Sequence, residues 1–196
     1  MRFRWEPENS QVAFESLKLV IEDEVDPGLQ ETFAELDLHP AAGLDAKRRP
    51  TRWTMSNGGA EVEFLVPRMQ SRRTVIKLAP LGVFAQALPF LNYLIADPIQ
   101  AVALYRSGVL VQIPRPERFA VHKLIVASRR ARNSARKARK DLAQARRLFK
   151  ILAADRPGEL AEAYRIARQA GPKWRDAIDH SLKSDPSLQE IIDALS

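Results

Sequence analysis

Apolar and polar residues alternate along much of the first half of the chain and recur every third or fourth position along the second half. Alternation puts residues i and i+2 on one face of a strand, whereas a three-to-four spacing lines one side of a helix. Residues 11–22, QVAFESLKLVIE, alternate over two short pieces and are expected to be extended. DPGLQETFAEL follows, with Asp26 as a candidate N-cap, Pro27 at the first helical position, and Leu29, Phe33 and Leu36 at helical spacing. That combination predicts a short helix. Ser56-Asn57-Gly58-Gly59 then separates two strand-like runs with residues that tolerate positive φ, which predicts a hairpin.

The return strand of that hairpin reads GGAEVEFLVP, residues 58–67. Period-two alternation sets Glu61 and Glu63 side by side on one face and Val62 and Phe64 on the other. Two readings of the carboxylates stand at this point. They form the solvated face of a half-buried strand, or they hold a divalent cation.

Between Pro80 and Pro114 β-prone residues dominate, and Arg106-Ser107-Gly108 joins IQAVALY to VLVQIP as a second expected hairpin. The strands together predict a small mixed, mostly antiparallel sheet. Past Pro116 glycine is scarce and the period changes. Leu142, Ala145, Leu148, Phe149 and Leu152 share one helical face, as do Trp174, Ala177, Ile178 and Leu182, and again Leu188, Ile191, Ile192 and Leu195. The expected architecture is α+β, a sheet lobe with flanking helices over residues 1–114 followed by a helical bundle over 115–196.

Composition narrows the chemistry. In 196 residues there is no cysteine, which excludes disulfides, thiolate metal sites and cysteine nucleophiles. His39, His122 and His180 are too widely spaced for a zinc pattern, so no zinc is expected. His122, on an otherwise apolar helix, reads as a packing or hydrogen-bonding residue. No apolar run reaches the roughly 20 residues of a membrane span, and MRFRWEPENS lacks the apolar core of a signal peptide. A cytoplasmic protein with no membrane partner is the expectation. The formal net charge of +7 suits an anionic partner, and much of it is local: residues 129–147, RRARNSARKARKDLAQARR, surround a single acid, Asp141, with arginine and lysine. No aromatic residue interleaves with these charges, so phosphate contact is a better expectation than base stacking.

PRPERFAVHKLIVASRR followed by KARKDLAQARRLF, and preceded by GAEVEFLVP and LPFLNYLIADPIQAVALYRSGVLVQIP, resembles a bacterial family of nucleotidyltransferases within the polymerase-β-like superfamily. The resemblance covers about residues 30 to 180. It implies a metal-dependent transfer of NMP from an NTP to a hydroxyl acceptor, with Mg²⁺ or Mn²⁺ as cofactor and NTP as substrate. It also implies that Glu63 occupies the family's third carboxylate position as a catalytic metal ligand, with Glu61 beside it. Lys123 would reach phosphate as a second catalytic residue, and Asp141 would orient it. Arg129, Arg130, Arg136, Arg139 and Lys140 would contact nucleotide or a nucleic-acid backbone.

The upstream part of the family pattern departs from this chain. Gln11 and Ala13 stand where an Asp-x-Asp pair is expected, and the Gly-Ser loop has no counterpart before it. Neither glutamine nor alanine is an anionic metal ligand. The departure implies a catalytically degenerate member, a truncated one, or a subunit whose protein partner supplies the missing elements. The alternative function is a noncatalytic module that uses the basic helix to bind RNA, DNA or an acidic partner.

Overall fold

The computed structural model describes residues 28–41, 49–68, 73–104, 107–130 and 134–195. The chain divides into two compact units, Met1–Leu91 and Asn92–Ser196.

In the first unit, helix α1 (Leu29–Glu35) leads into strand β1 (Leu38–Pro40), which pairs antiparallel with β2 (Arg52–Met55). Gly28 stands at the N-cap of α1 and provides no side-chain cap; Asp26 and Pro27 lie outside the described residues. Phe33 is buried and Leu29 packs against it, but Leu36 is exposed. The helix has ended by Leu36, because Asp37 turns into the left-handed region at φ 56° and sends the chain back as β1. Aspartate tolerates that conformation. Its carboxylate also holds the turn together, accepting from His39 at 2.8 Å and from the Ser56 hydroxyl at 3.2 Å, and the His39 bond holds Asp37 below the usual carboxylate range.

The expected hairpin forms. β2 turns through Ser56–Gly59 into β3 (Glu61–Glu63), with Arg52 opposite Glu63, Trp53 opposite Val62 and Thr54 opposite Glu61. Gly58 takes φ 72°, a conformation glycine adopts without a Cβ penalty. The return strand does not continue in the same sheet. It breaks at Phe64, whose amide donates to Thr51 in the first sheet while its carbonyl accepts from Gln86 in the second. β4 (Leu65–Pro67) then pairs parallel with β6 (Val83–Leu88), which pairs antiparallel with β5 (Val75–Leu78). The strands are therefore shared among small sheets rather than gathered in one. The Phe64 ring joins Phe33 and Trp53, with centroids 5.4 to 6.1 Å from Phe64. This aromatic group, with Leu38, Leu81 and Val83, is the core of the first unit.

Helix α2 (Leu91–Ile95) leads into the second unit's hairpin of β7 (Ile99–Ala103) and β8 (Val109–Ile113), turned by Gly108 at φ 90°. Five helices follow: α3 (Pro116–Ser128), α4 (Ala135–Asp155), α5 (Pro157–Gln169), α6 (Pro172–Ser184) and α7 (Pro186–Asp193). Four of them begin with proline, where its missing N–H and fixed φ suit the first turn. The central α3 packs against α4, α5 and α6, and Leu124, Ile125, Phe149, Leu160, Ile178 and Leu188 fill the bundle's interior. Tyr93, at the edge of this core, donates to the Ala163 carbonyl at 2.8 Å and lies edge-on to Trp174. The molecule is α+β, with helices following the strand region. No helix among the described residues is long and apolar enough to cross a membrane.

Candidate functional site

The inward side of α4 is set by Ala145, Phe149 and Leu152, and the position one turn before Ala145 on that side is Asp141. Its side chain is only 5% exposed. An unpaired carboxylate there would carry a desolvation penalty of several kcal/mol. Two cations answer it. Lys123, one residue before the buried Leu124 on α3, places Nζ 2.9 Å from Oδ1. Arg130, just past the end of α3, places Nε and Nη2 each 3.0 Å from Oδ2.

One negative charge facing two positive ones leaves the centre with a net positive charge. Arg130 is 36% exposed and Lys123 19%, so the excess is open to solvent on the arginine side. The Lys123 ammonium also lies 5.0 Å from the centroid of the Phe119 ring, a cation–π contact that helps fix its stem. His122 adds no charge to the centre near neutral pH. Burial first, and the Lys123 charge second, push its imidazole down to about 4. A rigid pair of cations seated on a buried carboxylate, with charge to spare, is suited to a phosphate group.

The structure therefore brings Lys123, Arg130 and Asp141 together. The other basic residues of the sequence reading lie elsewhere. Arg129 is the exposed C-cap residue of α3, and Arg136, Arg139 and Lys140 are exposed on α4.

Glu61 and Glu63 share the outer face of β3, in the first unit, while Val62 packs on the core. Arg52 stands on the neighbouring strand, opposite Glu63 in register and with its guanidinium 3.7 Å from the Glu61 carboxylate. Magnesium or manganese would need several further oxygen ligands. Among the described residues no three acidic or imidazole side chains come together in a way that could hold a metal ion. With an arginine as neighbour and no third acid, the β3 pair does not fit a divalent cation by itself. Gln11 and Ala13 lie outside the described residues.

One buried acid escaped the sequence reading. Glu117, in the first turn of α3, is 2% exposed and faces the Arg156 guanidinium at 3.5 Å. The signal was present, since Glu117, Val121, Leu124 and Ile125 fall on one helical stripe. Arg156 also reaches Asp155 at 3.3 Å, so the pair ties α3 to the α4–α5 corner. This is a structural contact.

Neither a curated protein nor a solved structure matches the chain. A nucleotidyltransferase family model matches residues 11–169, which takes in β3, the hairpins, Lys123, Arg130 and Asp141. The chain belongs to that nucleotidyltransferase family.

Proposed function

We propose that the protein binds a nucleoside triphosphate and transfers its NMP to a hydroxyl acceptor, with Lys123 and Arg130 as its phosphate contacts. The observation that supports the phosphate site is the convergence of both cations on the buried Asp141 carboxylate. Family membership supplies the reaction class. In that reaction the acceptor oxygen forms a bond to the α-phosphorus and gives up its hydroxyl proton to solvent, the bond from that phosphorus to the bridging oxygen breaks, and pyrophosphate leaves with the electron pair. Lys123 and Arg130 would bind and orient phosphate oxygens. Asp141 is a positioning residue that fixes both cations.

Glu63 is assigned one carboxylate of the family's set, and the remaining acidic ligands are to be sought outside the described residues or on a protein partner. A divalent cation, Mg²⁺ or Mn²⁺, supplies Lewis-acid stabilisation of triphosphate charge when bound. The test uses NTP labelled at either the α- or the γ-phosphate, offered with RNA, protein and small-molecule hydroxyl acceptors. Label from the α position should appear on an acceptor and label from the γ position in pyrophosphate, and Glu63→Ala should abolish both. Transfer of the γ label, or no transfer to any acceptor, contradicts the assignment.

A further inference from the structure

We infer that the outward side of α4 is a second anion site, one that holds a nucleic-acid strand by its phosphates. A helix advances about 100° per residue, so Arg136, Arg139, Lys140, Arg147 and Lys150 fall within an arc of roughly 100°. All five are exposed. The buried Asp141 and Ala145 mark the other side of the helix, so this stripe is distinct from the Lys123–Arg130 centre. Arg146, at the border of the stripe, is engaged with Asp185 at 3.2 Å. The five stripe residues enter no ion pair among the described residues.

A merely solvated helix side is ordinarily built with acids and bases three or four residues apart, which stabilises the helix. The neighbouring α5 follows that rule, with Arg165 gripping both oxygens of Glu162 three residues before it, and its Arg168 is neutralised across the helix pair by Asp179 of α6. α4 does the opposite. Arg136 and Lys140 are like charges at i and i+4, and Arg136 stands in a first turn that contains no acid, where the helix dipole disfavours cations. The arrangement works against the helix and is relieved by an external anion.

The form of the anion follows from the layout. From Arg136 to Lys150 the helix rises about 21 Å, too far for one compact triphosphate to engage both ends. A linear polyanion fits. A protein interface of this kind would need an apolar centre and would be poor in lysine, whereas only the small Ala143 and Ala154 lie within the arc and the exposed Ile151 stands at its border, not its centre. No aromatic side chain is interspersed for base stacking, so the strand is read by its backbone and without sequence preference.

Fluorescence anisotropy with labelled single strands of RNA and DNA, of two unrelated sequences each, tests the inference on the full chain. Both nucleic acids should bind regardless of sequence. Affinity should fall about a hundredfold between about 50 and about 200 mM salt, as neutralisation of roughly five phosphates at a slope of about 0.7 each requires. Arg136→Gln/Arg147→Gln should weaken binding and lower the salt slope by about 1.4, from about 0.7 per lost contact. Lys173→Gln/Lys183→Gln, which removes the same charge from α6, should leave the slope unchanged. No retention at low salt, equal weakening by the α6 pair, sequence-selective binding, or equal competition by polyglutamate would each overturn it. ATP titration is read separately: strand binding without ATP binding leaves this site standing and removes the nucleotide-transfer reading, and the converse removes only this site.

Discussion

Asp141 carries the most consequential single charge in the helical unit. Deleting one partner of a buried ion pair leaves the other uncompensated, at about 3–5 kcal/mol. Asp141→Ala should therefore lower the unfolding free energy measured by urea titration by an amount in that range, since it strands Lys123 at 19% exposure. Lys123→Met should cost much less, because Arg130 still meets the carboxylate. Equal losses from the two substitutions would mean that Arg130 does not share Asp141. His122 adds a pH dependence. Its folded value of about 4 lies below the ordinary 6.5, because burial and Lys123 oppose its charging more than Asp141 favours it. The unfolded chain therefore takes up a proton that the folded chain refuses, and stability is complete above pH 6.5 and lost as pH falls through 4. The loss should be about 2–3 kcal/mol between those limits. It is read as the difference between the unfolding free energies of the parent and His122→Gln across that range, and a constant difference would contradict the burial assigned to the ring.

At the scale of elements, α4 sets stability against binding. Arg136→Glu removes a like-charge pair with Lys140, creates an attractive Glu–Lys pair at i,i+4, and puts an acid in the first turn. The gain should be about 0.5–1 kcal/mol. A rise in melting temperature accompanied by weaker strand binding is the expected result; a fall would show that Arg136 supports the fold. The elements differ in how openly the sequence declares them. Both hairpins announce themselves through glycine-containing turns, and most helices of the second unit through a proline at their first position followed by an apolar stripe. The break at Phe64 is silent, because EVEFLVP reads as one continuous β-prone run with no turn residue before Pro67 while its partner changes from β2 to β6. That exchange depends on a parallel pairing with residues some twenty positions away, which local pattern does not encode. Leu36 was misleading for a related reason: helical spacing runs on to Leu36, whereas the helix stops at Glu35 ahead of the reversal at Asp37. Asp141 itself was legible as a lone acid in a basic run, but its burial required the position of α3 and of Lys123.

At the scale of the molecule, the family match gives the ancestry, and the helical unit gives two separate basic features, a centre built on a buried acid and a stripe on the opposite side of α4. The surplus of seven positive charges over the chain is thus concentrated where phosphates would be met. The acidic face of β3 remains a solvent-facing pair with Arg52 among the described residues, and its part in metal binding depends on ligands beyond it. The measurement that tests the central claim most directly is calorimetric titration of ATP and GTP, each with and without Mg²⁺ or Mn²⁺, into the parent protein and Lys123→Gln. Circular dichroism of both would verify that they are equally folded. The account predicts that the parent binds and that the variant is weakened at least about tenfold, the equivalent of one charge-assisted hydrogen bond of about 1.4 kcal/mol. Absence of binding in the parent, or equal affinity in a folded Lys123→Gln, would contradict it.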